Sequence, residues 1–540
     1  MEKLKKYFQK SQNLLNQLRD YKYNKFRPIA NKVLSELFNN KLSYPKDDKY
    51  IICEALWDNP HHWLRLAIFG PVLSNNLKSK FLGIYEKGTS RKIVKTFKAF
   101  KFDKYLEINP QIKDKYLFRG RKYAKVLSDS GDVFSFKLPY NFPWQFLYDS
   151  ILKSEMIGSI DFQNKKIPFY IAKLISYLEE YEAKIDWQKI SALVISHPVN
   201  FRFASLTHIA LTKGIPVYIL NYVNEYIAIR KLESIDDWEA GSYEKPDYSI
   251  VSNLPIIKKD FLEEIGRDYL NQVRSAQKGE VSTIGTFKND SHEDFDKKEF
   301  LKNLDLDKNK PTVVILTGCW PDFPNLYAPS WYIDYVDWFK KTLEIIKDLN
   351  NANWIIKPHP AEFKYGSKTK IQHFLKNINN KNIITWPEIV SSDKLLRIAD
   401  VVVTSHGSAG FEYPALGKPA ICTRKTHYAS WGFTNLCSEF SQYKKLLENI
   451  QMVKKPDKKD QKFAYIYIAS FFCNASVTSG EYLFGMGSQS NKLWPTIENF
   501  INKNENGINK EQLMMEKWLY SEIQSYNFFK SINYDLWQKI

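Results

Sequence analysis

Two short stretches of the chain carry residue types that can hold a phosphate. The first is Lys357-Pro358-His359-Pro360, followed by Ala361-Glu362. Lysine supplies an ammonium, histidine supplies a ring N–H, and two prolines stiffen the backbone that presents them. The second begins at Ala399-Asp400, passes through Val401-Val402-Val403-Thr404, and opens into Ser405-His406-Gly407-Ser408-Ala409-Gly410-Phe411-Glu412. Small residues let a backbone approach a ligand closely, and the helix expected to follow offers N–H groups at its positive end. The hydroxyls of Ser405 and Ser408 add donors for the same anion. Each stretch also has a plainer reading, as a proline-rich strand exit and as a turn capped by serine. Their occurrence one after the other, each directly after a β-rich run, favours an anion site.

Further candidates stand after other β-rich runs. Ser196-His197-Pro198 follows Leu193 to Ile195, with Arg202 close behind, and Asn224-Glu225-Tyr226 follows Val217 to Leu220. A histidine with an ordinary pKa near ~6.5 can accept a proton at neutral pH, although a single histidine at a strand exit is also a common structural residue. Asp58, His61 and His62 follow the first run in the same way.

These residues need elements to position them, and the chain supplies two sets. Its 540 residues exceed what one hydrophobic core organises, so two domains of about 200 to 250 residues are expected. Residues 1–47 read as a helical segment, with Leu4, Phe8, Leu15 and Leu18 on one face and Pro28 interrupting. From residue 48 to about 290, short β-rich runs alternate with helical stretches: Tyr50 to Cys53, Phe81 to Tyr85, Leu193 to Ser196, Val217 to Leu220, and Ser249 to Val251. A polar stretch around 275 to 310 reads as the linker. A second domain is expected over 305–500, with strands at Val313 to Leu316, Trp354 to Lys357, Ile383 to Thr385, Val401 to Thr404 and Ala420 to Thr423, and a helix from Trp331 to Leu349. Such alternation predicts an α/β chain with two Rossmann-like, doubly wound domains, whose ligands sit at the carboxyl ends of the strands. Residues 510–540, rich in aromatics, are expected to form helices that pack back on the first domain.

The ordered set of K-P-H-P, then T-S-x-G-S-x-G-x-E, then Leu416-Gly417-Lys418-Pro419, then His427-Tyr428 and Trp431-Gly432-Phe433-Thr434 resembles the capsule polysaccharide biosynthesis family, which includes transferases of the acidic sugar Kdo. The resemblance covers roughly residues 311 to 440. It implies a GT-B fold with two domains facing a central cleft and a nucleotide-sugar donor, CMP-linked by preference, in the second domain. It further implies that His359 and Pro360 contact the nucleotide, with Lys357 beside them. Ser405, His406, Gly407 and Ser408 would meet the phosphate, Glu412 would reach the ribose or act as a capping-box partner, and Lys418 and Tyr428 would add outer contacts. Gly318-Cys319-Trp320-Pro321-Asp322 takes the place of a stretch that ends in an acid in the Kdo-transferring relatives; Asp322 matches the acid, but the glutamine of that stretch is missing. Asp322 is therefore a candidate nucleophile or base, or a loop cap, with His197 and Glu225 as candidates on the acceptor side.

The expected function is then a glycosyltransferase of bacterial capsule or surface polysaccharide synthesis that acts on a saccharide or lipid-linked saccharide acceptor and has no permanently bound cofactor. Transfer of a polyol phosphate from a CDP-glycerol type donor, or a non-catalytic role in polysaccharide assembly, are the alternatives. No metal is expected, since Asp294-Phe295-Asp296 and Asp305-Leu306-Asp307 lie in the polar linker. The formal charge of +18 suits an anionic membrane, phosphorylated substrates, or simply solvated lysines. No zinc-finger spacing, RNP-like motif or run of six basic residues supports nucleic acid. Five scattered cysteines, with no C-x-x-C pair, suit a reducing compartment. A cytoplasmic location is expected; the basic N-terminal segment suits peripheral contact at the inner membrane, but packing of its apolar stripe on the first domain is the favoured reading.

Overall fold

The computed structural model describes residues 21–43, 47–130, 136, 138–221, 227–241, 246–275, 296–326, 330–360, 362, 366–376, 378–387, 392–472 and 492–539. Central runs rich in Ile, Val and Leu, buried on both faces as expected of strands covered by helices on each side, anchor two six-stranded sheets. The first contains β1 (Tyr50–Glu54), β2 (Lys80–Glu86), β3 (Lys104–Ile108), β4 (Ile190–Ile195), β5 (Val217–Asn221) and β6 (Ala228–Leu232), in the order β3-β2-β1-β4-β5-β6. All neighbours are parallel except β5 and β6. The second contains β7 (Thr312–Leu316), β8 (Asn353–Lys357), β9 (Ile383–Thr385), β10 (Val401–Thr404), β11 (Ala420–Cys422) and β12 (Asn435–Leu436), in the order β12-β11-β10-β7-β8-β9 and wholly parallel. In each sheet the winding direction reverses between the first and fourth strands, which leaves a crevice at their carboxyl ends. The chain is thus α/β with two doubly wound domains, the GT-B layout.

Two readings are corrected. Ser249 to Val251, expected as a strand, lies in the helix Tyr248–Ser252, because the Asp247 side chain caps it by accepting from Ser249 N at 2.7 Å. The polar stretch before β7 contains the helix Lys297–Asn303, capped by Asp296, whose Leu301 is buried with Val314 and Ile355.

Three helices near the end of the chain return to the first domain. Leu493–Lys503 and Glu505–Leu519 enter its core with Pro60–Leu77: Gln512 Nε2 donates to Ile68 O at 3.0 Å, and Trp518 packs against Phe69. Tyr526–Ile532 follows a bridge from Ser525 to Arg230 on β6. The return therefore starts at Leu493, within the stretch expected to belong to the second domain. An amphipathic pattern tells which face of a helix is buried but not which sheet buries it.

The domains meet where the helix Trp144–Glu155 docks on the loop after β7. Tyr148 Oη donates to Asp334 Oδ2 at 2.5 Å, Asn325 donates to both oxygens of Asp149 at 2.8 and 2.9 Å, and Lys153 Nζ lies 2.6 Å from Asp322 Oδ1. Among the described residues, no helix is long and apolar enough to cross a membrane.

Candidate functional site

The register of the second sheet brings the two phosphate-binding stretches together. Thr404 pairs with Leu316, and Leu316 pairs with Lys357, so the exits of β10, β7 and β8 stand side by side. With strands spaced ~4.8 Å apart, Lys357 and Thr404 are separated by about 10 Å, across the point where the winding reverses.

The Lys357-Pro358-His359-Pro360 exit is pinned to its neighbour. Thr317 N donates to Lys357 O at 3.1 Å, and Thr317 Oγ1 accepts from His359 N at 3.2 Å. The two prolines have no N–H of their own, so Thr317 holds this exit through the groups that remain. Lys357 Nζ donates to Ser392 Oγ, and burial pulls its pKa down to about 8. Burial also lowers the pKa of His359, against an opposing pull from Asp322 and with a further push from Lys357. His359 therefore offers a neutral ring at pH 7.

The exit of β10 is a tightly bonded turn. Ser405 is buried, and its Oγ lies 2.6 Å from Tyr332 Oη and 3.1 Å from His406 Nδ1. Tyr335 stacks on the His406 ring at 5.2 Å, and its Oη reaches Nε2 at 3.1 Å. Gly407 N donates to Thr404 Oγ1, and Tyr428 Oη donates to Gly407 O at 2.9 Å. Behind them Gly410 leaves no room for a side chain, because a Cβ there would lie 2.1 Å from Tyr428 Oη. Ser408 is exposed at the start of the helix Ala409–Ala415. Its hydroxyl bonds the Glu412 carboxyl, whose pKa burial raises and that bond lowers.

The candidates thus separate into two tiers. Lys357, His359, Pro360, His406, Gly407 and Ser408 lie at the strand exits with at least part of their surface open, whereas Ser405 and Tyr428 hold the turn from within. Lys418 lies at the opposite edge of the sheet, where its Nζ donates to Ala399 O at 2.8 Å, ahead of β10. Its motif precedes a parallel strand and so comes at the edge where strands begin. That position is a correction to the expected donor contact. Glu225 lies outside the described residues.

Asp322 projects from the loop after β7 toward the first domain and meets Lys153. Lys153 also acts on His197, whose ring lies 4.8 Å from Trp57 and 5.8 Å from Phe203. Burial, then His62 and Lys153, push the His197 pKa down to about 3. Asp58 is held by Arg27 through two bonds of 2.8 Å, and His62 is buried 3.7 Å from Glu54. Glu54 joins the two central strand exits of the first domain by accepting from Leu56 N, Ser196 N and Ser196 Oγ at 2.7, 3.0 and 2.6 Å.

Sequence reading missed two cations here. Lys153 lies within a helix, where no motif signals it. Arg424 follows β11 at the site edge, buried, with its guanidinium 4.8 Å over the Tyr332 ring and Nε 3.3 Å from Tyr332 Oη. After burial itself, Arg424 is the leading cause that holds His406 well below the usual histidine range, with His427 and His359 adding to it. Its position just past a strand end was the available signal.

Residues 287–468 match the family described as Capsule polysaccharide biosynthesis protein. No curated protein matches the chain. Among solved structures, the chain is similar to the beta Kdo 2,4 transferase KpsC of Thermosulfurimonas dismutans, with 14% identity and a TM-score of 0.30, over 52% of this chain and 80% of that one. It is also similar to a glycosyltransferase from Rickettsia africae ESF-5, with 10% identity and a TM-score of 0.26, over 85% and 98%. The wall teichoic acid polymerase TagF is similar at 10% identity, with a TM-score of 0.22, over 94% and 98%.

Proposed function

Since residues 287–468 match the capsule polysaccharide biosynthesis protein family, we propose that the chain is a glycosyltransferase that moves a sugar from a nucleotide donor, CMP-linked and Kdo-like by preference, onto a bacterial surface saccharide or its lipid-linked precursor. The observation that carries this reading is the alignment of Leu316, Lys357 and Thr404, which sets an ammonium, two imidazoles and a surface hydroxyl around one crevice. In this reading the donor phosphate lies between the exits of β8 and β10. Lys357, charged below about pH 8, and the ring N–H of His359 offset the charge that builds on the departing phosphate. Ser408 adds a hydroxyl at the rim.

Asp322 faces the first domain and is the carboxylate assigned to the sugar or to the acceptor hydroxyl. His197 is a weak proton acceptor in this conformation, because a base with a pKa near 3 is seldom protonated at neutral pH. Its assigned role is therefore to line the acceptor side beside Trp57, leaving proton transfer to Asp322. A cytoplasmic chain in contact with the inner membrane suits such an acceptor.

The test is nucleotide release from CMP-Kdo, CDP-glycerol and UDP-sugars supplied in turn with acceptor. Release of CMP from CMP-Kdo, lost in His359→Ala and Asp322→Asn, is expected. Release from CDP-glycerol alone would move the assignment to polyol-phosphate transfer. No release from any donor, with polymer synthesis in cells unaffected by the same substitutions, would leave an assembly role.

A further inference from the structure

Half of the chain's excess positive charge comes from one short stretch. Residues 87–130 hold 13 Lys or Arg against 4 Asp or Glu, a surplus of 9 in a chain whose total is +18. The fold wraps this stretch around one edge of the first sheet, as the helix Arg91–Ala99, the outermost strand β3 and the helix Asp114–Ser130. The helices cover opposite faces: Phe97 joins the core on one side, and Tyr116, Ala124 and Leu127 join the core on the other.

Arg91, Lys92, Lys95 and Lys98 are exposed on the first helix, which contains no acidic residue. Arg121, Lys122 and Lys125 are exposed on the second. Among the described residues none of these seven cations enters an ion pair, whereas the neighbouring Lys115 and Arg119 both pair with Glu179, at 3.1 and 2.6 Å. Two apolar side chains stand among the cations of the second helix: Phe118 is 72% exposed and Val126 is 50% exposed. Steps of three, four and seven residues return to one side of a helix, so Phe118 shares its face with Arg121, Lys122 and Lys125.

We propose that this edge is a docking surface for an anionic lipid bilayer. Cations without counter-charges repel one another, and a plane of phosphate headgroups relieves that repulsion. Phe118 and Val126 can enter the headgroup boundary while the flanking Lys and Arg side chains reach back to the phosphates. Lys104 on β3 already guards the open strand edge against pairing with another chain, so that task does not account for the seven helix cations. A polyphosphate such as RNA would use the same charges, yet the aliphatic Val126 gives it nothing. The inference is independent of the transferase reading, because its test measures binding alone.

The test is co-sedimentation of the full chain with phosphatidylcholine vesicles containing about one-third phosphatidylglycerol, and with phosphatidylcholine alone. The chain is expected to bind the anionic vesicles selectively and to be released by salt. Combining Arg121→Gln, Lys122→Gln and Lys125→Gln should weaken binding on the order of 100-fold, and Phe118→Ser about 10-fold. Lys455→Gln, Lys458→Gln and Lys459→Gln together remove the same charge from exposed positions of the second domain and should leave binding within about 3-fold of the parent. Unchanged unfolding midpoints establish that all variants are folded. Equal binding to neutral vesicles, no binding to either, or equal loss in the two triple variants overturns the proposal. So does tight binding of poly(U) RNA together with vesicle binding that Phe118→Ser leaves untouched.

Discussion

Lys153 Nζ of the first domain stands 2.6 Å from Asp322 Oδ1 of the second, and the same ammonium acts on the His197 ring. Asp322 in turn acts on His359. One cation therefore connects the acceptor-side imidazole, the carboxylate and the donor-side imidazole. Lys153→Met should lower kcat/KM for nucleotide release by roughly 10- to 100-fold, and Lys153→Arg should recover most of it. Removing the charge also takes away one of the repulsions that hold the His197 pKa down. Full activity in Lys153→Met would exclude this coupling.

Asp149 gives the domain contact a pH dependence. Burial pushes its pKa up to about 8, against the bonds from Asn325 and the pull of Arg424. An unfolded aspartate titrates near ~3.9, so between that pH and about 8 the folded chain holds a proton that the unfolded chain has lost. Stability from this residue is therefore full below the lower value and falls as pH rises through the window, by on the order of a few kcal/mol. Urea unfolding at pH 5 and pH 8 should show the loss, and Asp149→Asn should flatten it. An equal slope in both proteins would refute the assignment.

Much of this was legible before the fold was known, for identifiable reasons. Val401-Val402-Val403-Thr404 and Trp354 to Lys357 are largely β-branched or apolar runs followed by residues unsuited to a strand, Ser405-His406-Gly407 and Pro358, so strand and exit appear together in the sequence. The antiparallel β6 and the two-residue β12 carry too little pattern to be read. Lys153 and Asp149 stayed hidden because tertiary packing, not local spacing, brings them to the cleft. Lys418 misled for the converse reason: a shared motif does not say at which edge of a sheet a residue lies. The helix Ile256–Arg274 shows the same limit, since Gly266 is needed only because Tyr465 O of the partner helix would lie 1.9 Å from its Cβ.

Lys357 should impose an upper pH limit on donor binding. Its ammonium, held down to about 8 by burial, is lost above that value in the free protein. The kcat/KM for the donor should therefore fall as pH rises through about 8, mainly through KM. Lys357→Arg keeps its charge throughout this range and should abolish the decline even if it lowers the plateau. A parallel decline in both proteins would assign the limit to another group.

Ser405 and Ser408, three residues apart in one motif, should fail differently when changed. Ser405 is buried between Tyr332 and His406, so Ser405→Ala leaves a tyrosine hydroxyl and a ring nitrogen short of a partner. That should cost about 1–3 kcal/mol of stability, and the His406 ring should loosen with it. Ser408 is exposed, and among the described residues its hydroxyl meets only Glu412, so Ser408→Ala should leave the unfolding midpoint nearly unchanged. Its effect should instead fall on donor binding, as a rise in KM of several-fold to about 10-fold for one lost hydrogen bond to a charged phosphate. Thermal unfolding and donor kinetics on the two variants separate the residue that holds the turn from the one that meets the ligand. If both lost stability equally with no change in donor KM, the turn would be a structural cap and the phosphate would have to lie elsewhere.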